Sequence, residues 1–386
     1  VGVTGFADLP LHTGHVPPWL FSRMVKLSGL IVKLLVEEHG VRETIRLFSN
    51  PIFFQSFNNI IGMDWDSSGS TTVTTAALKE SLLRVDVGIR VVGGKGVYAL
   101  NVPNEIEELG RSWDLDVEEL KLASRLTAKI DGTALQDGYR LYHHAMIIGV
   151  DGTWAVVQQG LNESSRYARR YHIWMGNDLM NEPHTGIVGF KGDYALNMVS
   201  RVSEGARKTI IDLVRQDVNK VIRDWAVVRA MIKGNASILT YVGSQPPKYY
   251  NPYISGAFRP YRASINEEAL RGARDVNDFS ELLLTRGFGP STMLALALIA
   301  ELVYRDRVDW EDPANVDPRR YAFALGGKDG SPYPVNREVY DAVIEVMQGL
   351  VDRISHDREL RVYMRHLAEA AKRLGLPLDL VRPTPP

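Results

Sequence analysis

The sequence predicts an α+β chain in two parts: an N-terminal α+β domain with antiparallel strands over residues 1–200, and an all-α domain over residues 201–386. Three observations carry this prediction. Two strand-like runs flank Asp151-Gly152, a strong hairpin-turn signal. After residue 200 the apolar residues recur almost entirely at spacings of three and four. A chain of 386 residues, 45% of them hydrophobic, is too long for one ordinary compact domain and has the side chains to fill more than one core.

The elements follow in order. Residues 1–16 read as extended and turn-rich, with His12 and His15. Pro17-Pro18 opens a helix where proline is tolerated. Trp19, Leu20, Met24, Leu27, Ile31, Leu34 and Leu35 keep helical spacing until Gly40 stops the run, and a shorter helix follows to Ser49. Residues 52–61 are apolar and aromatic and lead into Asp64-Trp65-Asp66-Ser67-Ser68-Gly69. A Ser/Thr run at 70–75 precedes a helix over Ala76–Leu83. Val85–Val92 reads as a strand and Gly93-Gly94-Lys95-Gly96 as a turn or loop. Tyr142–Val150 and Trp154–Gln159 form the hairpin, and a basic segment runs from Arg166 to His172. Ser203–Met231 reads as one long amphipathic helix, with Ile211, Val214, Val218, Val221 and Trp225 on one face. Residues 243–262, rich in Pro, Tyr and Gly, read as a linker or ordered loop. From 265 the pattern is nearly all helical, with a loop at 326–335 and a proline-rich tail from Leu376.

Composition narrows the chemistry. The formal net charge is −1, so a DNA site must be a local patch or use backbone amides. With no cysteine, disulfides, thiol nucleophiles and iron–sulfur clusters are excluded. A metal would sit on Asp, Glu, His or water. The apolar stretch Met293–Val303 is too short to span a bilayer, and the first residues lack a basic region before an apolar core. A cytoplasmic location with no membrane partner is expected.

The most specific local signal is Leu284-Thr285-Arg286-Gly287-Phe288-Gly289-Pro290-Ser291-Thr292. Apolar residues end one helix, Gly-Phe-Gly turns tightly, and Pro290 and Thr292 open the next. The glycines let a phosphate approach the main chain, and the new helix start favours an anion. The segment resembles the helix-hairpin-helix of DNA repair enzymes, placed near 280–305, and this implies DNA binding through Arg286, Gly287, Gly289, Ser291 and Thr292. The alternative is a helix-packing joint with no ligand. Tyr333-Pro334-Val335-Asn336 resembles the stretch that carries the catalytic aspartate in base-excision glycosylases, but here it has Asn336. Ser291 stands where lyase members have lysine. The resemblance therefore implies a glycosylase scaffold used for binding.

Dense polar motifs fill the N-terminal half. Asp64, Asp66 and Asp131 are candidate ligands for Mg2+ or Mn2+, which prefer oxygen and can activate water for phosphodiester cleavage. Lys95 or Lys129 are candidates to stabilise the phosphoryl intermediate, and Arg169 and Arg170 to hold the strand by its phosphates. His143, His144 and His172 complete the catalytic candidates. Of His143 and His144 only one should line a site, because adjacent strand residues face opposite ways. Plainer readings stand beside these: Asp66 and Ser67 as a helix cap, Asp151 as a turn residue, Arg169-Arg170 as a solvated pair. Gln158 and Gln159 read as partners of buried amides. Gly93-Gly94-Lys95-Gly96 is too short for a nucleotide phosphate loop.

Together with Thr4-Gly5-Phe6-Ala7-Asp8-Leu9-Pro10, Gln158-Gln159-Gly160, Arg169-Arg170-Tyr171-His172 and Asn181-Glu182-Pro183-His184, these motifs resemble a prokaryotic family catalogued as domain of unknown function 763. The resemblance covers nearly the whole chain. It implies a shared architecture and nuclease activity, without a catalytic mechanism. Where that family has Asp-Trp-His-Ser-Ser-Gly, this chain has Asp66, so any role of that histidine is in doubt here. The expectation is a metal-dependent nuclease of DNA repair or recombination. The alternatives are an adaptor that recruits another repair or recombination protein to DNA, and a hydrolase of a non-nucleic substrate.

Overall fold

The computed structural model describes Val16, residues 18–61, residues 68–232, Tyr253 and residues 261–316. It is a mixed α+β structure built on an antiparallel sheet. Helix α1 spans Pro18–Ser49, and Gly40 interrupts it at φ 78°. Asn50 then caps α2, Pro51–Ile60, by accepting from the Ile52 and Phe53 amides. Helix α3, Ser68–Arg84, takes in the whole Ser/Thr run. Those hydroxyls suit a helix because several bond back to the preceding turn, as Thr75 does to the Thr71 carbonyl.

Strand β1 is Ile89–Lys95, so Gly93-Gly94-Lys95 is paired strand and not a loop. The glycines are needed there: a Cβ on Gly93 would lie 2.3 Å from the His144 carbonyl oxygen. Helices α4 (Val97–Leu100), α5 (Val102–Gly110) and α6 (Val117–Lys129) follow, and a π-helical turn over Ile130–Ala134 extends α6. After the short β2, Leu135–Gln136, come β3 (Arg140–Gly149) and β4 (Trp154–Asn162). Their connection holds Gly152 at φ 78°, as the Asp-Gly signal predicts. Strands β5 (Tyr167–Trp174) and β6 (His184–Val188) complete a five-stranded sheet in the order β1-β3-β4-β5-β6. β7, Leu196–Asn197, pairs with β2.

The sheet is covered on both faces. Ile89, Val91, Ala145, Ile147, Ala155 and Val157 pack beneath α1–α3, whereas Val92, Met146, Ile148, Val156 and Ile173 face α5 and α6. The long helix expected over 203–231 is two, α7 (Glu204–Gln216) and α8 (Val218–Ile232). Asp217 adopts extended angles between them, and its carboxylate accepts from the Asn219 amide. Helices α9 (Glu267–Gly272), α10 (Phe279–Leu284) and α11 (Pro290–Leu302) surround the same core. That core also contains Leu126, Ile130, Ala134 and Leu196, so the position near 200 falls inside one apolar cluster.

Residues 305–316 are not helical. They run back to the sheet, where Val316 bridges Val188 and Asp309 bridges Asn197. Short-range side-chain bonds, Asp309 to the Glu311 amide and Asp312 to the Ala314 amide, divert this backbone from helix. Among the described residues no helix is long and apolar enough to cross a membrane. The Pro334-Val335-Asn336 stretch and the Leu376 tail lie outside the described residues.

Candidate functional site

Period-two geometry sorts the polar candidates onto two faces of the sheet. On the face under α1–α3, the register aligns Lys95 with His143, His143 with Gln159, and Gln159 with Arg170. His172 lies two residues along β5 from Arg170, on the same face. All of this row except Lys95 is buried. Helices α2 and α3 cover it with polar side chains. Thr71 donates to Gln159 Oε1, Gln159 Nε2 donates to the Ser68 carbonyl at 2.9 Å, and Arg170 Nη2 donates to Gln55 Oε1 at 3.1 Å.

The bonds the row does not make are as informative. Arg170 Nε and Nη1, both ring nitrogens of His172, and His143 Nδ1 have no hydrogen-bond partner. Buried polar groups are normally satisfied, so five such atoms in one cluster require an explanation. Among the described residues no carboxylate balances Arg170: burial pushes its pKa down to about 9, and its guanidinium lies 4.8 Å from the Phe54 ring centroid. His172 is driven well below the ordinary imidazole value by burial and by the Arg170 charge; the nearby Phe48 backbone opposes the shift without making a hydrogen bond of good geometry. The tautomer of His143 follows from its neighbour. The Thr75 hydroxyl donates to the Thr71 carbonyl at 2.9 Å, so at 3.2 Å it accepts from His143 Nε2–H. His143 Nδ1 then carries a lone pair with no partner.

The opposite face is closed. His144, Gln158 and Tyr171 are aligned across β3, β4 and β5. Gln158 Nε2 donates to Asp131 Oδ2 at 2.5 Å and to the Thr127 carbonyl at 3.2 Å. Its Oε1 therefore accepts from His144 Nδ1–H at 2.8 Å, and His144 Nε2 accepts from Ser124 at 2.9 Å. The π-helical turn aims Asp131 at His184, whose Nε2 lies 2.6 Å from Oδ1. Burial raises the Asp131 pKa, and the His184 charge opposes that shift. Ser124 and His144 form a serine–histidine pair, but the third partner is the amide oxygen of Gln158, where serine-hydrolase triads place a carboxylate.

Several expectations change here. His143 and His144 do point to opposite faces. Arg169 is neither a strand contact nor a solvated charge: it is fully buried, bonded to Asp137 Oδ2 at 2.8 Å and to both oxygens of Asp312, at 2.9 and 2.7 Å. Arg170 is not solvated either, so the adjacent arginines are two different interior cations. Both oxygens of Asp131 are engaged within the protein, and a metal there would have to displace His184 or Gln158. Asp64 and Asp66 lie outside the described residues, and among the described residues no three acidic or histidine side chains form a metal-sized cluster. Lys129 is remote from Lys95: its ammonium donates to the Phe288 carbonyl.

That bond belongs to the turn between α10 and α11. Gly287 is at φ 79° and Gly289 stands at the N-cap of α11. The carbonyls of the turn are tied inward. Gly287 accepts from Asn266 Nδ2, Phe288 from Lys129, Pro290 from Gln136 Nε2 and Ser291 from the Ser264 amide. Thr292 is buried, and its hydroxyl accepts from the Asn266 amide, so it offers nothing outward; Arg286 is exposed.

Sequence reading missed Asp137, Asp312 and Gln55 and gave His184, named only within a motif, no role; each is a partner brought in by the fold. The pairing of Arg170 with His172 was legible, because residues i and i+2 of a strand share a face. No curated protein and no solved structure matches the chain. A family model described as "Protein of unknown function (DUF763)" matches residues 5–335, and the chain belongs to that family.

Proposed function

We propose that the protein is a DNA-processing phosphodiesterase of repair or recombination, with the Lys95–His143–Gln159–Arg170–His172 face as its phosphoryl centre. The observation that carries this reading is the set of unmade bonds at Arg170, His172 and His143. A buried guanidinium with no carboxylate partner among the described residues, beside imidazole nitrogens left without hydrogen bonds, suits an anion, and phosphoryl oxygens match guanidinium geometry. Arg170 and His172 hold the phosphoryl oxygens. His143 Nδ1 takes a proton from the attacking water as one phosphorus–oxygen bond forms and the bond to the leaving oxygen breaks. Bound negative charge raises the basicity of that imidazole. Mg2+ or Mn2+ at Asp64 and Asp66 would supply further charge neutralisation and water activation.

The turn at 285–290 supports the DNA part. With its carbonyls tied inward, the amides of Gly287, Gly289 and Ser291 are the groups it can offer to a phosphate, beside exposed Arg286. The adaptor reading has one observation in its favour: Asp131 is closed off by His184 and Gln158.

Arg170→Met tests the proposal. Replacing an unpaired buried cation with an apolar chain of similar length should leave stability unchanged or raise it. Cleavage of single- or double-stranded DNA with Mn2+ should fall at least about 100-fold, as for loss of an oxyanion contact. Undiminished cleavage by a folded Arg170→Met protein sinks the proposed centre. DNA binding without cleavage by the unsubstituted chain, with and without metal, establishes the adaptor.

A further inference from the structure

Next to the turn lies a cavity of about 510 Å3 that the proposed centre does not use. Leu284 and Pro290 belong to the turn side, and Tyr139 and Tyr261 supply aromatic wall. Among the described residues three cations line it, Arg125, Lys129 and Arg140, and no carboxylate does. Arg125 and Arg140 are exposed and form no ion pair among the described residues. The positive charges are close enough to interact: burial and the Arg125 charge together lower the Lys129 pKa. Gathering like charges is unfavourable unless an anion relieves it. The walls call for something different, a flat apolar surface. Tyr139 is held rigidly from behind, with the Arg169 guanidinium 4.4 Å from its ring centroid. Cavities of this size, mostly apolar with a few convergent charges, are typical of small-molecule sites.

We infer that this cavity binds one nucleotide unit, its phosphate on Arg125 and Arg140 and its base against Tyr261 and Tyr139. The inference rests on the nucleic-acid reading above and adds a substrate feature to it: a nucleotide outside a double helix, since a base within a stacked duplex cannot enter a pocket. A free nucleotide and a nucleotide within a single strand share this chemistry, and the test separates them.

The full chain would be titrated with dAMP, with inorganic phosphate and with a short 5′-phosphorylated single strand. Three variants accompany it: Tyr261→Ala, Tyr261→Phe and the double substitution Arg125→Ala/Arg140→Ala. Tyr261→Ala should weaken binding about tenfold, the usual scale of one lost base–aromatic stack, and Tyr261→Phe should retain it. The arginine pair should abolish dAMP binding and lower the salt slope of strand binding by about 0.7, one phosphate contact's worth. Response of dAMP itself assigns the site to a free nucleotide, and response of the strand only assigns it to a nucleotide within a chain. Inorganic phosphate binding as well as dAMP, with Tyr261→Ala silent, overturns the inference, as does absence of binding by both dAMP and the strand. Cleavage of DNA and affinity for dAMP are separate readouts: loss of cleavage in Arg170→Met tests the phosphodiesterase reading, and loss of dAMP affinity in Tyr261→Ala tests this one, so the two failures are distinguishable.

Discussion

His143 shows what a single residue can carry here. Burial, and after it the charges of His144 and Lys95, push its pKa down to about 3 from an ordinary 6.5. Because the folded value lies below the unfolded one, the unfolded chain takes up the proton first as pH falls. The stability tied to this imidazole is therefore complete above about pH 6.5 and is lost down to about pH 3, at about 1.4 kcal/mol per pH unit. His144 and His172 shift in the same direction and add to the slope. Urea denaturation of His143→Gln between about pH 6 and pH 4 should show a shallower loss of stability than the unsubstituted chain. Parallel slopes would mean that the imidazole is not held neutral by the fold. A bound anion acts oppositely, so phosphate should partly relieve the acid sensitivity of the unsubstituted protein.

At the scale of an element, the turn between α10 and α11 separates two glycines that look alike in sequence. Gly287 sits at φ 79°, where an L side chain is strained, and Gly287→Ala should cost about 1–2 kcal/mol. Gly289 has extended angles, and a Cβ there would meet nothing within 4 Å. The protein's own packing gives no reason for glycine at 289, whereas close approach of a phosphate would. Gly289→Val should stay within about 1 kcal/mol in stability, the loss of a modest N-cap. Its affinity for duplex DNA at fixed salt should nonetheless fall. Unchanged affinity in a folded Gly289→Val protein would make the turn a packing joint only. Helix α3 teaches a related lesson: seven Ser and Thr residues are tolerated in it because hydroxyls turn toward the helix carbonyls and toward the polar row on the sheet.

Over the whole molecule, one ion-pair cluster ties the C-terminal end of the described chain to the sheet. Arg169 in β5 and Asp312 in the returning segment are 143 residues apart in sequence, and both are buried. Tyr171 and Asp137 complete the cluster through a bond of 2.7 Å, and the Gly192 amide donates to Asp312 Oδ2 at 2.7 Å. Removing one partner of such a pair leaves an uncompensated interior charge, typically at a cost of 3–5 kcal/mol. Asp312→Asn should therefore destabilise the protein by about 3–5 kcal/mol. Because the apolar core is continuous across residue 200, helix circular dichroism and tryptophan fluorescence should shift together. A fluorescence transition that moves while the helical signal stays would reveal two independently folding halves.

The sequence by itself determined the local and periodic features. The hairpin at 141–159, the break at Gly40, the turn at 285–290 and the opposite facing of His143 and His144 all follow from turn chemistry and the two side-chain periods. Those rules act over a few residues, so they are written where the residues are. Other features depend on residues far apart in the chain. Nothing local marks Arg169 as half of a buried pair with Asp312, or distinguishes it from Arg170, which has no counter-charge among the described residues. Nothing near Asp131 announces His184, and Gly93-Gly94-Lys95 resembles a loop until β3 lies beside it. Whether a charged side chain is solvated, neutralised or left unpaired depends on what the fold stacks against it, and only the tertiary structure supplies those neighbours.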